Sequence, residues 1–252
     1  MDTGKPHADD CPYSVIAATL ESPSEAAIVP ARRDVILFDI DGTLIITGGA
    51  GATSWRLAFD ELYGIPADIG QFTDAGMTDP EVGRRTFEAV LHRAPQRAEF
   101  TRLMERRLHY LHTTVAQSRG YHVLDGVETL LPQLIEEGYL LGLVTGNVEA
   151  AAHIKLHRSN LNRFFSFGGY GSDSTDRAEL TLVALRRASL VYGEQVNPSQ
   201  CLAVGDTPHD VAAAHAAGVA FVGVGSHHFT AEQLRQAGAD HAIASLREGL
   251  PL

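Results

Sequence analysis

Apolar runs at residues 35–38, 139–144, 201–204 and 219–224 are separated from one another by stretches that carry helical spacing. Strands divided by helices cannot pair as hairpins, and crossover connections make them parallel. The alternation therefore predicts an α/β fold: a doubly wound, Rossmann-like parallel sheet. Two more strands are expected, one around Phe164–Phe167 and an edge strand over His241–Ala244. The intervening helices are expected near 126–137, 148–159, 176–191, 208–217 and 230–237, with Asp176 and Glu179 at capping-box spacing. Ligands of such sheets bind beyond the carboxyl ends of the strands. The residues that follow each apolar run are thus the place to look for chemistry.

Three polar clusters occupy those places. The first run leads into Asp39-Ile40-Asp41-Gly42-Thr43. In an extended chain, side chains two apart point to the same side, so Asp39 and Asp41 can share one cleft. Two acids so placed repel unless a cation or a proton lies between them, which points to a metal site, acid–base chemistry, or both. An ordinary Asp-Gly turn is the alternative. Thr145-Gly146-Asn147 follows the second run, and Gly205-Asp206-Thr207-Pro208-His209-Asp210 follows the third. All three clusters fall where the fold class puts a site.

From about Ala52 to Arg119 helical spacing dominates and no strand is expected. Trp55, Ala58, Phe59 and Leu62 form one apolar face that ends at Gly64. Asp79-Pro80-Glu81 reads as an N-cap, a proline at the first helical position and a first-turn acid, opening a helix with Val82, Thr86, Phe87 and Val90. A third helix is expected from Gln96 to Ser118, with Phe100, Leu103, Met104, Leu108 and Leu111 as its apolar stripe. Residues 1–31, rich in Ala, Pro, Ser and acids, read as a disordered leader without the basic segment of a secretory signal. The expected organisation is a leader (1–31), an α/β core (32–50 and 120–252) and a helical insertion (51–119).

A formal charge of −11 argues against a nucleic-acid or anionic-membrane partner, and no apolar run approaches spanning length. A local cation and a few arginines can still invert the field within one cleft. The two cysteines, Cys11 and Cys201, make no disulfide framework and fit a reducing cytoplasm.

The motifs at Asp39–Thr43, Thr145–Asn147 and Gly205–Asp210 resemble those of the haloacid dehalogenase superfamily of phosphohydrolases, and the likeness runs from about Asp34 to Leu246. The overall layout looks most like the phosphoglycolate phosphatase branch, with residues 51–119 in the place of the family's helical cap. The resemblance implies a phosphatase acting on a small phosphorylated metabolite. Asp39 would be the nucleophile that forms an aspartyl-phosphate, and Asp41 the acid and base, kept protonated when needed by its anionic neighbour. Mg²⁺ would be held by Asp39, the Asp41 carbonyl and Asp206, with Asp210 as a further ligand or an acceptor from bound water. Thr145 would donate to a phosphoryl oxygen, and Gly42, Thr43, Gly146 and Asn147 would complete the phosphate-binding set. Thr145 could instead cap the following helix.

The chain departs from the family in its third motif, where a lysine is usual. Its two lysines are Lys5 and Lys155, and Arg177 stands nearest the expected position. Arg177 is therefore the first candidate for the cation, with Lys155 the runner-up. None of the twelve histidines, His209, His227 and His228 included, is assigned to a metal. Specificity is expected from Gly76–Asp79 and Thr47–Gly51. The competing readings are a phosphomutase of the β-phosphoglucomutase type and a non-catalytic phosphate-binding or docking module. Dehalogenation is disfavoured, because halide departure needs no acid such as Asp41.

Overall fold

Val35–Phe38 forms β1, and all four of its side chains are buried. Ile36 and Phe38 enter one apolar cluster and Val35 and Leu37 another, so the strand is covered on both faces. The computed structural model that shows this describes Met1 and residues 35–252. The expected leader, with Lys5 and Cys11, lies outside the described residues apart from Met1.

The chain continues through β2 (Ile45–Thr47), α1 (Ala50–Tyr63), α2 (Asp79–Leu91), α3 (Arg97–Gln117), β3 (Tyr121–Val123) and α4 (Val127–Glu136). Next come β4 (Leu140–Thr145), α5 (Glu149–His157), β5 (Gly168–Tyr170) and α6 (Arg177–Tyr192). The last elements are β6 (Cys201–Gly205), α7 (Pro208–Ala216), β7 (Ala220–Val224), α8 (Ala231–Gln236) and β8 (His241–Ile243). Six strands form one sheet in the order β5-β4-β1-β6-β7-β8, every neighbouring pair parallel. Side chains of α4 and α5 fill one face beside Ile36 and Phe38, and those of α6 and α7 fill the other beside Val35 and Leu37. The fold class follows from the alternation as expected. Among the described residues, no helix is long and apolar enough to cross a membrane.

Three local readings need correction. The strand expected at Phe164–Phe167 is a 3₁₀ turn over Leu161–Phe164, and pairing with β4 starts only at Gly168. The phenylalanines are apolar filling: Phe167 lies over Gly142, where a Cβ would fall 2.8 Å from its Cδ2. Two of the three residues that do pair are glycines, poor strand formers by propensity. Gly169 is needed because the backbone of Leu180 approaches it too closely for any side chain. At the start of α2, Thr78 is the N-cap and Asp79 the first helical residue. At α6, Asp176 caps Ala178 N at 2.9 Å, but Glu179 turns to Arg186 instead of closing the box.

β2 and β3 form an antiparallel pair that the sequence reading did not expect, with Ile45 opposite Val123 and Thr47 opposite Tyr121. Strands of three residues are too short to leave a periodic signal. Their pairing joins the two ends of the helical stretch. Within that stretch Trp55, Phe59, Val82, Phe87 and Leu103 build a separate apolar core. Leu111 and Val115 of α3 pack on Val148 and Ala151 at the start of α5. The buried stripe of α3 is Leu103, Arg107, Leu111 and Val115, so an arginine sits where the sequence reading had only apolar residues.

Candidate active site

The turn after β1 is built backwards onto itself: Leu44 N and Ile45 N both donate to Ile40 O, at 2.9 and 3.1 Å. Ile40 fills the core and leaves Asp39 and Asp41 on the side of one cleft. β1 has ended at Phe38, so this turn, and not strand alternation, brings the two acids together. Gly42 has a φ of 83° and lies against the Asp206 carboxylate, where a Cβ would collide. Glycine is the residue that permits both. The cleft, of about 370 Å³, is also lined by Thr145, Gly146, Asn147, Lys155, Arg177 and Asp206.

One half of the cleft is a buried acidic group. Carboxylate oxygens of Asp39, Asp206 and Asp210 lie within 4.8 Å of one another. Oδ1 of Asp206 is buried and has no hydrogen-bond partner among the described residues, a costly state for a carboxylate oxygen. Asp210 is engaged on both sides: Oδ2 accepts from Thr207 Oγ1 at 2.7 Å and Thr207 N at 3.1 Å, and Oδ1 from Arg177. Arg177 also lies 3.7 Å from Asp39, and its Nη1 donates to Gly76 O at 3.0 Å. Burial, then the charge of Asp210, raises the pKa of Asp39 well above the ordinary carboxylate value. Burial and Asp210 likewise push Asp206 up to about 7. Burial alone would weaken the charge on Arg177, but Asp210 and Asp39 outweigh it.

The other half centres on Asp41. Its Oδ2 accepts from Lys155 Nζ at 2.6 Å and from Asn147 Nδ2 at 2.8 Å. Burial tends to raise its pKa, but the charge of Lys155 and the Asn147 bond prevail and hold it below the usual value. This differs from the expectation that Asp39 would favour a proton on Asp41. The nearby ammonium outweighs the neighbouring anion.

Thr145 ends β4, and α5 begins only at Glu149 with Val148 as N-cap, so Thr145 does not cap that helix. Its Oγ1 accepts from Asn147 N at 3.3 Å and Nδ2 at 2.9 Å, which shapes the turn between strand and helix. Thr43 is fully buried, and its Oγ1 has no partner among the described residues. His227 and His228 are exposed on the rim.

Of the residues singled out from sequence, Asp39, Asp206, Asp210 and Arg177 converge in one half, and Asp41 and Asn147 in the other. Three contributors have contacts that the sequence reading did not assign to them. Lys155 was placed only as a substitute for Arg177, although it lies on the buried face with Ala151, Ala152 and Leu156. That i, i+3, i+4 spacing was the available signal. Asp79 bridges two segments: Oδ1 accepts from Arg107 at 2.8 Å, and Oδ2 from Val148 N at 2.9 Å. Ser226 lines the cleft and opposes the rise in the pKa of Asp206. No local pattern marks either of these last two.

Comparison with known proteins places this geometry. The chain is 28% identical over 191 residues to the pyrophosphatase PpaX of Anoxybacillus flavithermus, covering 76% of this chain and 83% of that one. It is 31% identical over 211 residues to the phosphoglycolate phosphatase of Rhodospirillum rubrum, covering 81% and 84%. The β-phosphoglucomutase structure from Clostridium difficile superposes with a TM-score of 0.67 at 20% identity, over 87% of this chain and 94% of that one, a likeness of fold. The family pattern described as "Haloacid dehalogenase-like hydrolase" matches residues 36–224. The chain belongs to the haloacid dehalogenase-like hydrolases, in their phosphoglycolate phosphatase-like branch.

Proposed function

We propose that the protein is a Mg²⁺-dependent phosphatase that hydrolyses a small phosphomonoester through an aspartyl-phosphate on Asp39. The observation that carries this reading is the buried Asp39–Asp206–Asp210 group with Arg177 against it at the carboxyl ends of β1 and β6. Its all-oxygen donor set and the orphaned Asp206 Oδ1 fit a hard divalent cation. Asp39, the Asp41 carbonyl and Asp206 would hold it, and Asp210, already engaged by Thr207 and Arg177, would accept from its bound water. Bound there, Mg²⁺ would screen the repulsion between nucleophile and phosphate and polarise a phosphoryl oxygen.

The chain's own residues do the rest. Asp39 attacks phosphorus, and Arg177 steadies both that carboxylate and the phosphoryl oxygens with a charge it cannot lose. Thr145, with N–H groups of the 145–147 turn and of Gly42 and Thr43, cradles the remaining oxygens. Asp41 gives a proton to the departing oxygen and takes one from the water that discharges the intermediate. Helices α1–α3 serve as the cap, with residues 51–119 as the inserted domain. A cleft of about 370 Å³ suits a metabolite-sized ligand. Phosphoglycolate, named in similar proteins, is the first substrate to try. A reducing cytoplasm suits a chain with two cysteines.

Purified protein should release phosphate from p-nitrophenyl phosphate with Mg²⁺ and stop on adding EDTA. Asp39→Asn should lower turnover by about 10⁴-fold. Near-normal turnover of that variant would remove Asp39 as nucleophile.

A further inference from the structure

Arg177 and Lys155 were rival candidates for one cation, and they do not share a carboxylate. Arg177 reaches Asp39 and Asp210; Lys155 reaches Asp41. Lys155 is 5% exposed, on the face of α5 that also buries Ala151, Ala152 and Leu156. Its backbone carbonyl is held by the Tyr121 hydroxyl at 2.9 Å, and Arg158 of the same helical segment stacks on that ring. A long flexible side chain placed this way has its position set from the helix outward.

The donors to Asp41 are unevenly divided. Both Lys155 Nζ and Asn147 Nδ2 donate to Oδ2. Among the described residues, nothing donates to Oδ1. An oxygen that accepts two hydrogen bonds from obligate donors is not the one that carries a carboxylic proton. Asn147 is itself fixed, because Nδ2 also donates to Thr145 Oγ1 at 2.9 Å.

We propose that Lys155 is a positioning residue for the phosphatase reaction: with Asn147 it occupies Oδ2 of Asp41 and so makes Oδ1 the oxygen that exchanges protons. The inference rests on the phosphatase reading above. In the first step the Asp39–phosphorus bond forms and the ester P–O bond breaks. The departing oxygen takes the proton from Asp41 Oδ1 and leaves as an alcohol. In the second, water attacks the aspartyl-phosphate and gives its proton to the same Oδ1, Asp39 regains its carboxylate, and phosphate departs. Lys155 contributes no proton and no bond to either step.

The role predicts a leaving-group effect that a purely structural lysine would not show. Phenyl phosphates differing only in ring substituents fill the cleft alike but differ in how much the departing oxygen needs a proton. For Lys155→Met, kcat/KM for phenyl phosphate should fall about tenfold more than for p-nitrophenyl phosphate. Lys155→Gln, which keeps N–H donors without the charge, should lie between and carries the comparison if the methionine variant does not fold. Because kcat/KM stops at the first irreversible step, discharge of the intermediate does not blur the result. Equal losses on both substrates, or none, would overturn the role of Lys155. If Asp39→Asn keeps turnover while the Lys155 pattern appears, the nucleophile assignment fails instead.

Discussion

Asp39, in the acidic half of the cleft, and Asp41, in the other half, are separated in sequence by Ile40 alone and are opposite in electrostatics. Asp39, Asp206 and Asp210 share a single nearby guanidinium, and burial with mutual repulsion raises Asp39 and Asp206. Asp41 has a lysine against it and a bond from the Asn147 amide, and is held low. Three buried carboxylates against one cation leave a deficit of positive charge, whereas the Asp41–Lys155 pair is balanced. The contrast separates a half that is short of positive charge, where the proposed cation would sit, from a half whose charges are matched within the chain.

The largest test of that contrast removes a carboxylate from the acidic half. Asp206→Asn should lower activity on the order of 10³-fold and abolish the rise in melting temperature that Mg²⁺ brings to the parent protein. A variant that still gains stability from Mg²⁺ would place the ion elsewhere. Arg177→Ala should cost about 10²-fold in kcat/KM, by the same factor whatever the leaving group, because in the proposed mechanism its charge serves the phosphoryl group in every substrate. A larger loss from Lys155→Ala on p-nitrophenyl phosphate would reverse the two assignments.

The smallest effect is in pH and separates the halves by sign. Asp39 and Asp206 are raised, so the folded state binds more protons than the unfolded chain between roughly pH 4 and pH 7. Cation-free protein should therefore lose stability as pH rises through that window, by a few degrees in Tm, and Mg²⁺ should restore more at pH 7 than at pH 5. Asp41 is lowered, so its contribution is present above about pH 4 and is lost as pH falls through its folded value. Thermal melts with EDTA that show stability rising steadily from pH 4 to pH 7 would contradict the acidic-half account.

Much of this architecture could be read before any coordinates. Apolar runs ending in Asp39, Thr145 and Asp206 identify strands whose carboxyl ends converge, because a parallel sheet places those ends along one edge. The breaks in that reading have definite causes. β5 is two-thirds glycine in its paired residues, so neither apolarity nor propensity marks it. Arg107 hides within a helical stripe, because a period reports which face is buried and not what a buried charge will meet. It meets Asp79, 28 residues away, which also holds Val148 N.

Local spacing was enough to establish β1, β4, β6, β7 and β8, most helices and the carboxylates that gather at the sheet edge, since each depends on neighbours a few residues away and on a general rule of parallel sheets. The allocation of cations was not available at that level. Lys155 and Asp41 are 114 residues apart, and Arg177 and Asp210 are 33. Which pair forms depends on how α5 and α6, on opposite faces of the sheet, lean over the strand ends. Packing of helices against the sheet decides that, and it has no imprint in any short stretch of chain.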